Sequence, residues 1–483
     1  MRHAAMNLIL KNEVSRSPLQ MTQKNRQTFS PARRWLGALF CFIFSSCLAP
    51  PQNFPVHSVP WELANPEPTG LEGLMEQNTR HRVLVSVLDA GIDSAHPRLQ
   101  PNLHPFVLTP ELHAQWQVPL SQRRYGYGLD LVGNDFFPHY AVIAEEEPNA
   151  EATATPSPGP SPLYEEISAK LMSGTHGTHV SQLATLGNPA IGLIPVKVLP
   201  LVARETPGGP EAILDSALNR EAIFEAQLVD FIKALEKGLD FSVSNHADIA
   251  SLSLGVNLEE LSDPARRARL QTLIEERINV KLKTTWSSLL IIAAAGNERT
   301  LLDRPTLSIP ATLEHPDLIA VGALNKDRSI AHYSNFSRFV DVYMQGSDIR
   351  SAVPLALGGW ENESGTSMAT PLVANLAARI KLILPTLSPR EVRALILNTA
   401  RLVEAPIQPR PEGESSTEGT ATPLPQTAVI RIADFKRALA TAQRLKQIPP
   451  SAAEARSLLT PPFEHGHAPR LVLPGSAPSG SPN

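Results

Sequence analysis

The apolar positions of this chain fall into two rhythms. Mainly aliphatic runs at 83–88, 194–199, 249–254, 289–294 and 318–321 have the pattern of strands buried on both faces of a parallel sheet. Between some of them, apolar residues recur at helical spacing, as in Phe224, Leu228, Phe231, Ile232 and Leu235, with Gly238 expected as the helix C-cap. Strands alternating with helices predict an α/β fold with a mainly parallel sheet. After Thr370-Pro371 comes a nearly all-apolar stretch, 372–384, stopped by Pro385, which reads as a helix through the core. The next helix has a well-specified start: Ser388-Pro389-Arg390-Glu391 offers an N-cap serine, a proline in the first turn and a capping-box glutamate.

Composition changes the picture at the flanks. The chain has 483 residues, 42% hydrophobic and 19% charged, enough apolar material for at least one large core. Its 45 prolines crowd into a few stretches, so we expect one globular domain at 81–445 with Pro-rich insertions near 141–168 and 406–425. Residues 48–80 read as a linker, too short for a folded inhibitory pro-domain, and 446–483 as a disordered tail. Residues 1–47 read as a signal peptide: an apolar stretch from Trp35 to about Ser46 follows Arg33-Arg34 and, at roughly a dozen residues, is too short to span a bilayer. Phe44-Ser45-Ser46-Cys47 resembles a bacterial lipoprotein box, which makes Cys47 a candidate lipidation site. Ordinary cleavage nearby and an uncleaved anchor stay open, and Met21 is an alternative start. The expected location is extracellular or in the cell envelope, with an outer-membrane lipoprotein as one form.

A formal net charge of -4 and the lack of a Lys/Arg-rich run give no field for a polyanion, which argues against nucleic acid as a partner. Cys41 and Cys47 are the two cysteines. The body of the chain therefore holds no disulfide and no cysteine zinc site.

Ligand and catalytic groups gather at the ends of parallel strands, so the residue after each apolar run is the place to look. Asp89 ends the first run, in Asp89-Ala90-Gly91-Ile92-Asp93; alone it reads as a turn aspartate. His176 stands in Gly174-Thr175-His176-Gly177-Thr178-His179-Val180, where two histidines also invite a zinc reading, but no His-Glu-x-x-His helix accompanies them. Asn297 follows Ala293-Ala294-Ala295-Gly296 at a strand end, where its amide can donate to developing negative charge. Ser367, in Gly365-Thr366-Ser367-Met368-Ala369-Thr370-Pro371, stands where the apolar helix begins, and its surroundings lack the Gly-x-Ser-x-Gly spacing of the α/β hydrolases. Each alone has a bland reading. Together they supply an orienting carboxylate, a base, an oxyanion donor and a nucleophile, the set that acyl transfer requires.

The Asp-x-Gly, His-Gly-Thr-His-Val and Gly-Thr-Ser-Met-Ala-x-Pro blocks resemble the signatures of the subtilase family of serine proteases, and the resemblance runs from about Val83 to Ala400. It implies a doubly wound sheet with helices on both faces, and an Asp89, His176, Ser367 triad with Asn297 in the oxyanion hole. It also implies an exposed substrate-binding strand at Ser253, Leu254 and Gly255, facing a pocket wall at Ala294, Ala295 and Gly296. The segment 430–440 resembles the family's closing strand and helix. Ser181-Gln182 departs from the family's usual Ala-Gly, which leaves the placement of that helix open. Asp130 and Asp135 resemble a segment that sometimes binds calcium; solvated loop carboxylates are the other reading, and no cofactor is required. Glu298 is expected at the pocket rim, favouring basic side chains. The resemblance points to protein or peptide substrates and says nothing of oligomeric state. Two alternatives stay open: a catalytically silent surface lipoprotein that binds peptides or a partner, and an esterase using the same triad.

Overall fold

The computed structural model describes residues 81–140, 174–199, 217–258, 261, 263–299, 308–313, 315–408 and 427–467. The leader with Cys41 and Cys47, the linker, the 141–168 insertion and most of the 406–425 insertion lie outside them.

Along the chain the first strands are β1 (Val83–Asp89), β2 (Phe106–Val107), β3 (Tyr125–Gly126), β4 (Leu129–Asp130), β5 (Ile191–Lys197), β6 (Ile249–Leu252), β7 (Val256–Asn257) and β8 (Leu290–Ala294). They are followed by β9 (Ser308–Ile309), β10 (Leu318–Leu324), β11 (Val342–Gln345), β12 (Ile349–Ala352), β13 (Trp360–Glu363), β14 (Arg401–Pro406) and β15 (Thr427–Ile432). The helices are α1 (Pro110–Trp116), α2 (Thr175–Thr185), α3 (Ala217–Ser244), α4 (Pro264–Ile274), α5 (Thr366–Ile383), α6 (Pro389–Thr399), α7 (Phe435–Leu445) and α8 (Ala453–Leu459). Nine strands make the central sheet in the order β14-β15-β11-β10-β8-β6-β1-β5-β4. All neighbours pair in parallel except β14, which runs antiparallel along β15 at one edge.

Period-two alternation divides the central strands between two cores. Val83, Val85 and Val87 of β1 point into the core shared with α2, α5, α6 and α7, while Leu88 points into the core under α3 and α4. β8 and β10 divide in the same way, Ile292 and Val321 facing one side, Ile291 and Ala320 the other. A strand that must please two apolar layers has few polar positions to offer, and the one inside β1, Ser86, is buried and accepts from the Ser242 hydroxyl at 2.7 Å.

Helix boundaries sharpen two expectations. Leu228, Phe231, Ile232 and Leu235 are buried as their spacing implies, but α3 runs on past Gly238 to Ser244. That glycine is a point of close approach and not a cap, since a Cβ there would lie 2.9 Å from Leu88 Cδ2. α6 starts with the full capping box: Ser388 Oγ accepts from the Glu391 N–H and the Glu391 carboxylate accepts from the Ser388 N–H at 2.8 Å. β15 and α7 are the expected closing strand and helix.

The Pro/Ser-rich reading of the tail fails for its first part. Residues 446–467 are ordered: α8 packs on α6, and the turn after it inserts His465 into the far end of the sheet. There the Asp341 carboxylate accepts from Arg393 Nη2 at 2.8 Å, from His465 Nδ1 at 2.7 Å and from the Ala320 N–H at 2.9 Å. Arg393 also donates to the carbonyls of Leu318 and Phe463, and His465 Nε2 reaches the Ala311 carbonyl at 2.9 Å. All three side chains are buried, the guanidinium completely. Composition could not reveal this: Ala455, Leu458, Leu459 and Phe463 of the segment pack on the core, and its end is fixed by a polar cluster whose other members lie far away in sequence.

Candidate functional site

Parallel strands direct their C-terminal ends to one edge of the sheet, and three helices or loops begin there with the residues of interest. Asp89 is the last residue of β1. Its Oδ1 accepts from the Ala90 N–H at 2.8 Å, which fixes the carboxylate. His176 is the second residue of α2, and its Nδ1 lies 2.9 and 3.0 Å from the two Asp89 oxygens. Gly177 makes this approach possible: a Cβ there would stand 2.0 Å from the Gly91 carbonyl and 3.1 Å from Asp89 Oδ1. Both members of the pair are buried. Burial alone would lower the proton affinity of His176, but the charge and hydrogen bond of Asp89, with a smaller contribution from Glu363, outweigh it and raise the imidazole above its ordinary value.

Ser367 is the second residue of α5, where the first N–H groups of a helix have no partner within it and favour negative charge. Pro371 lies inside that helix and lacks the N–H that would bond the Ser367 carbonyl. Ser253, just past β6, fills the gap: its Oγ donates to the Ser367 carbonyl at 2.7 Å. The Ser367 hydroxyl in turn donates to the Ser253 carbonyl at 3.3 Å. This reciprocal pair ties the candidate nucleophile to the strand that ends beside it. Asn297, past β8, is held through its Oδ1, which accepts from the Thr366 N–H at 2.9 Å and the Thr366 hydroxyl at 3.0 Å. With the carbonyl of the amide so engaged, its NH₂ group is the end that can act as a donor elsewhere. Thr366 was missed as an orienting residue; its place in the Gly-Thr-Ser block was the signal that could have shown it.

The arrangement can do one thing well. A buried imidazole held by a carboxylate, a serine at a helix start and a fixed amide can generate an alkoxide and stabilise the oxyanion it makes.

Residues 80–427 match the model of the subtilase family, peptidase S8. The chain belongs to the subtilase family. Among curated relatives it is similar to subtilisin E of Bacillus subtilis (strain 168), 30% identical over 226 residues that make up 47% of this chain and 50% of the relative. It is also similar to subtilisin of Bacillus pumilus, 30% identical over 226 residues, 47% of this chain and 70% of the relative. The chain spans about half the length of the first curated relatives it matches. A solved structure, a cold adapted subtilisin-like serine proteinase, aligns with TM-score 0.40 and 19% identity over 66% of this chain and 83% of that one. The assignment to the subtilases rests on the sequence match, and the doubly wound parallel sheet described above accords with it.

Other residues singled out by this subtilase's sequence are distributed as follows. Ser253, Leu254 and Gly255 form the extended segment between β6 and β7, yet all three are buried, so the expected exposed strand is not seen. The Ser253 side chain is turned to Ser367 and that of Leu254 to the core, which leaves the backbone as their contribution. Ala294 and Ala295 are buried at the end of β8, and the Gly296 N–H donates to the Thr366 hydroxyl at 3.2 Å, so this wall is joined to the start of α5. Glu298, expected as a rim charge, is half-buried; its carboxylate accepts from Asn335 Nδ2 at 2.5 Å, and burial pushes it up to about 7. Asp130 faces Lys197 Nζ at 3.3 Å and accepts from the Val132 and Gly133 N–H groups, while Asp135 accepts from the Phe137 N–H. Burial and the Asp130 charge push Asp135 up to about 6. Lys197 thus already answers the Asp130 charge, and among the described residues no cluster of three or more ligating groups occurs. His179 is structural: its Nε2 donates to the Ile349 carbonyl at 2.9 Å. Ser181 and Gln182 are accommodated, the Gln182 amide oxygen accepting from Ser351 Oγ at 2.6 Å. Among the described residues no helix is long and apolar enough to cross a membrane.

Proposed function

We propose that this subtilase is an exported serine endopeptidase acting on proteins or peptides, with Asp89, His176 and Ser367 as its triad. The observation that carries the reading is the buried Asp89–His176 pair, 2.9 Å apart, at the same sheet edge as a serine that opens a helix. His176 takes the Ser367 proton as the hydroxyl attacks a carbonyl; Asp89 holds the ring so that Nδ1 carries hydrogen and Nε2 is the base. The oxyanion is received by Asn297 and the Ser367 N–H. Substrate backbone adds as a strand beside Ser253, Leu254 and Gly255. That step requires the segment to become accessible. Ala294, Ala295 and Gly296 line the opposite wall.

A fluorophosphonate probe tests the reading, because it reacts with an activated serine whatever the substrate. The wild type should label and Ser367→Ala should not. An unlabelled wild type would mean a silent binding protein, and labelling with ester but no casein hydrolysis would mean an esterase.

Export is supported by the apolar stretch after Arg33-Arg34, and attachment by Cys47 in its lipobox-like context. A palmitate analogue should label the wild type and not Cys47→Ser; label that persists in the variant removes the anchor.

A further inference from the structure

The hairpin of β12 and β13 is fastened to the helix that carries the base. His179 Nε2 donates to the Ile349 carbonyl at 2.9 Å, and the single Ser351 hydroxyl proton is shared between the His179 carbonyl at 2.8 Å and the Gln182 amide oxygen at 2.6 Å. In the antiparallel register Ile349 faces Glu363 and Ser351 faces Glu361. Strand alternation therefore puts Glu363 on the face whose Ser351 hydroxyl lies against α2, while Arg350 and Asn362 on the other face are exposed. Glu363 is 8% exposed, stands four residues before Ser367, and its carboxylate makes no hydrogen bond or ion pair with a described residue.

A carboxylate set among mostly buried neighbours is screened less than one in bulk water and acts on the charges near it. Two imidazoles lie in its field, His176 and His179. His179 is held neutral: burial is the main cause, its Nε2 is a donor to backbone, and its proton affinity is lowered. That leaves His176, which becomes an imidazolium each time Ser367 gives up its proton. Asp89 faces it from β1, His179 from its own helix and Glu363 from β13.

We propose that Glu363 is a positioning residue of the active site, a second carboxylate that, in addition to Asp89, stabilises the charged form of His176 from the hairpin fastened to its helix. The inference rests on the proposed function, since it gives Glu363 its effect through the base. It was invisible in the sequence because Glu363 belongs to none of the three signature blocks.

The test is the pH profile of kcat/KM for a fluorogenic peptide with wild type, Glu363→Gln and Glu363→Asp. The neutral isostere should lower the plateau by about three- to tenfold and move the acid limb to lower pH by up to about one unit, and aspartate should restore part of both. A loss of equal size at every pH with the limb unmoved would make Glu363 a packing residue and overturn the proposal, as would a limb that moves upward. Fluorophosphonate labelling of the same proteins separates the two levels. If the wild type labels and Gln leaves the limb in place, this inference alone fails; if the wild type does not label, the underlying function fails and takes the inference with it.

Discussion

Asp89–His176 and Asp341–His465 are two buried aspartate–histidine pairs in one sheet, with Nδ1 to carboxylate distances of 2.9 and 2.7 Å. Asp89 closes β1 and Asp341 precedes β11, so in a parallel sheet they stand at opposite ends. Their difference lies at the far nitrogen. His465 Nε2 meets the Ala311 carbonyl, so the ring donates on both sides and has no lone pair to offer. His176 sits at the start of a helix at the same sheet edge as Ser367, where the proposed chemistry asks Nε2 to accept a proton. The counter-charges differ as well. Burial would raise the Asp341 carboxyl, but His465, Arg393 and the bonds they and Ala320 make more than offset it and hold it below the usual carboxylate range. A pair with its outlets closed by a guanidinium and a carbonyl is a bolt; a pair with an acceptor nitrogen is a base.

Exchanging the two histidines breaks the comparison most sharply. His176→Ala should lower peptide hydrolysis by about a millionfold, the loss known for a triad histidine in subtilisin, at a stability cost of the same order as that of His465→Ala, since Asp89 keeps only the Ala90 N–H. Arg393→Met should do the reverse, costing about 3–5 kcal/mol in urea unfolding because a buried carboxylate loses its strongest partner, with activity per folded molecule kept. His465→Ala should cost less, about 1–3 kcal/mol, since Arg393 and the Ala320 N–H remain on Asp341. If His465→Ala abolished hydrolysis while leaving stability intact, the assignment of the two roles would be reversed.

Acidity sharpens the comparison with smaller effects. His176 must be neutral to act and its imidazole is raised, so activity should fall as pH drops through a value above about 6.5. Asp341 is depressed when folded; its contribution is full above the unfolded carboxylate value of about 3.9 and is lost as pH falls through the folded one. Between these limits the protein should be folded and inactive, and neutralisation should restore full activity. Unfolding by circular dichroism that tracks the loss of activity across pH 6 would show that the two pairs do not titrate separately.

Much of the sheet was legible because β1, β8 and β10 must be apolar on both faces. The candidate site was legible because its residues sit within short blocks at strand ends. What could not be read depends on partners distant in sequence. Gly238 looks like a cap until Leu88 is known to lie against it. Glu298 looks like a rim charge until Asn335 is found beside it, and Lys197 decides whether Asp130 is offered to a cation. His465 lies in a stretch whose composition suggests no structure, and only three-dimensional proximity to Asp341 gives it a task. β14 was missed for a related reason: an edge strand with Leu402 exposed carries no buried run to announce it.

The bolt also has a place in time. Ser367, the last of the three proposed catalytic residues to be synthesised, precedes His465 by roughly a hundred residues, and at about 5–20 residues per second that is an interval of about 5–20 s. During it the proposed catalytic residues exist on a sheet whose far end, around Asp341, awaits its last polar partner. A ribosome stalled in that interval would release a chain bearing every catalytic side chain but lacking the fastening that the finished protein has.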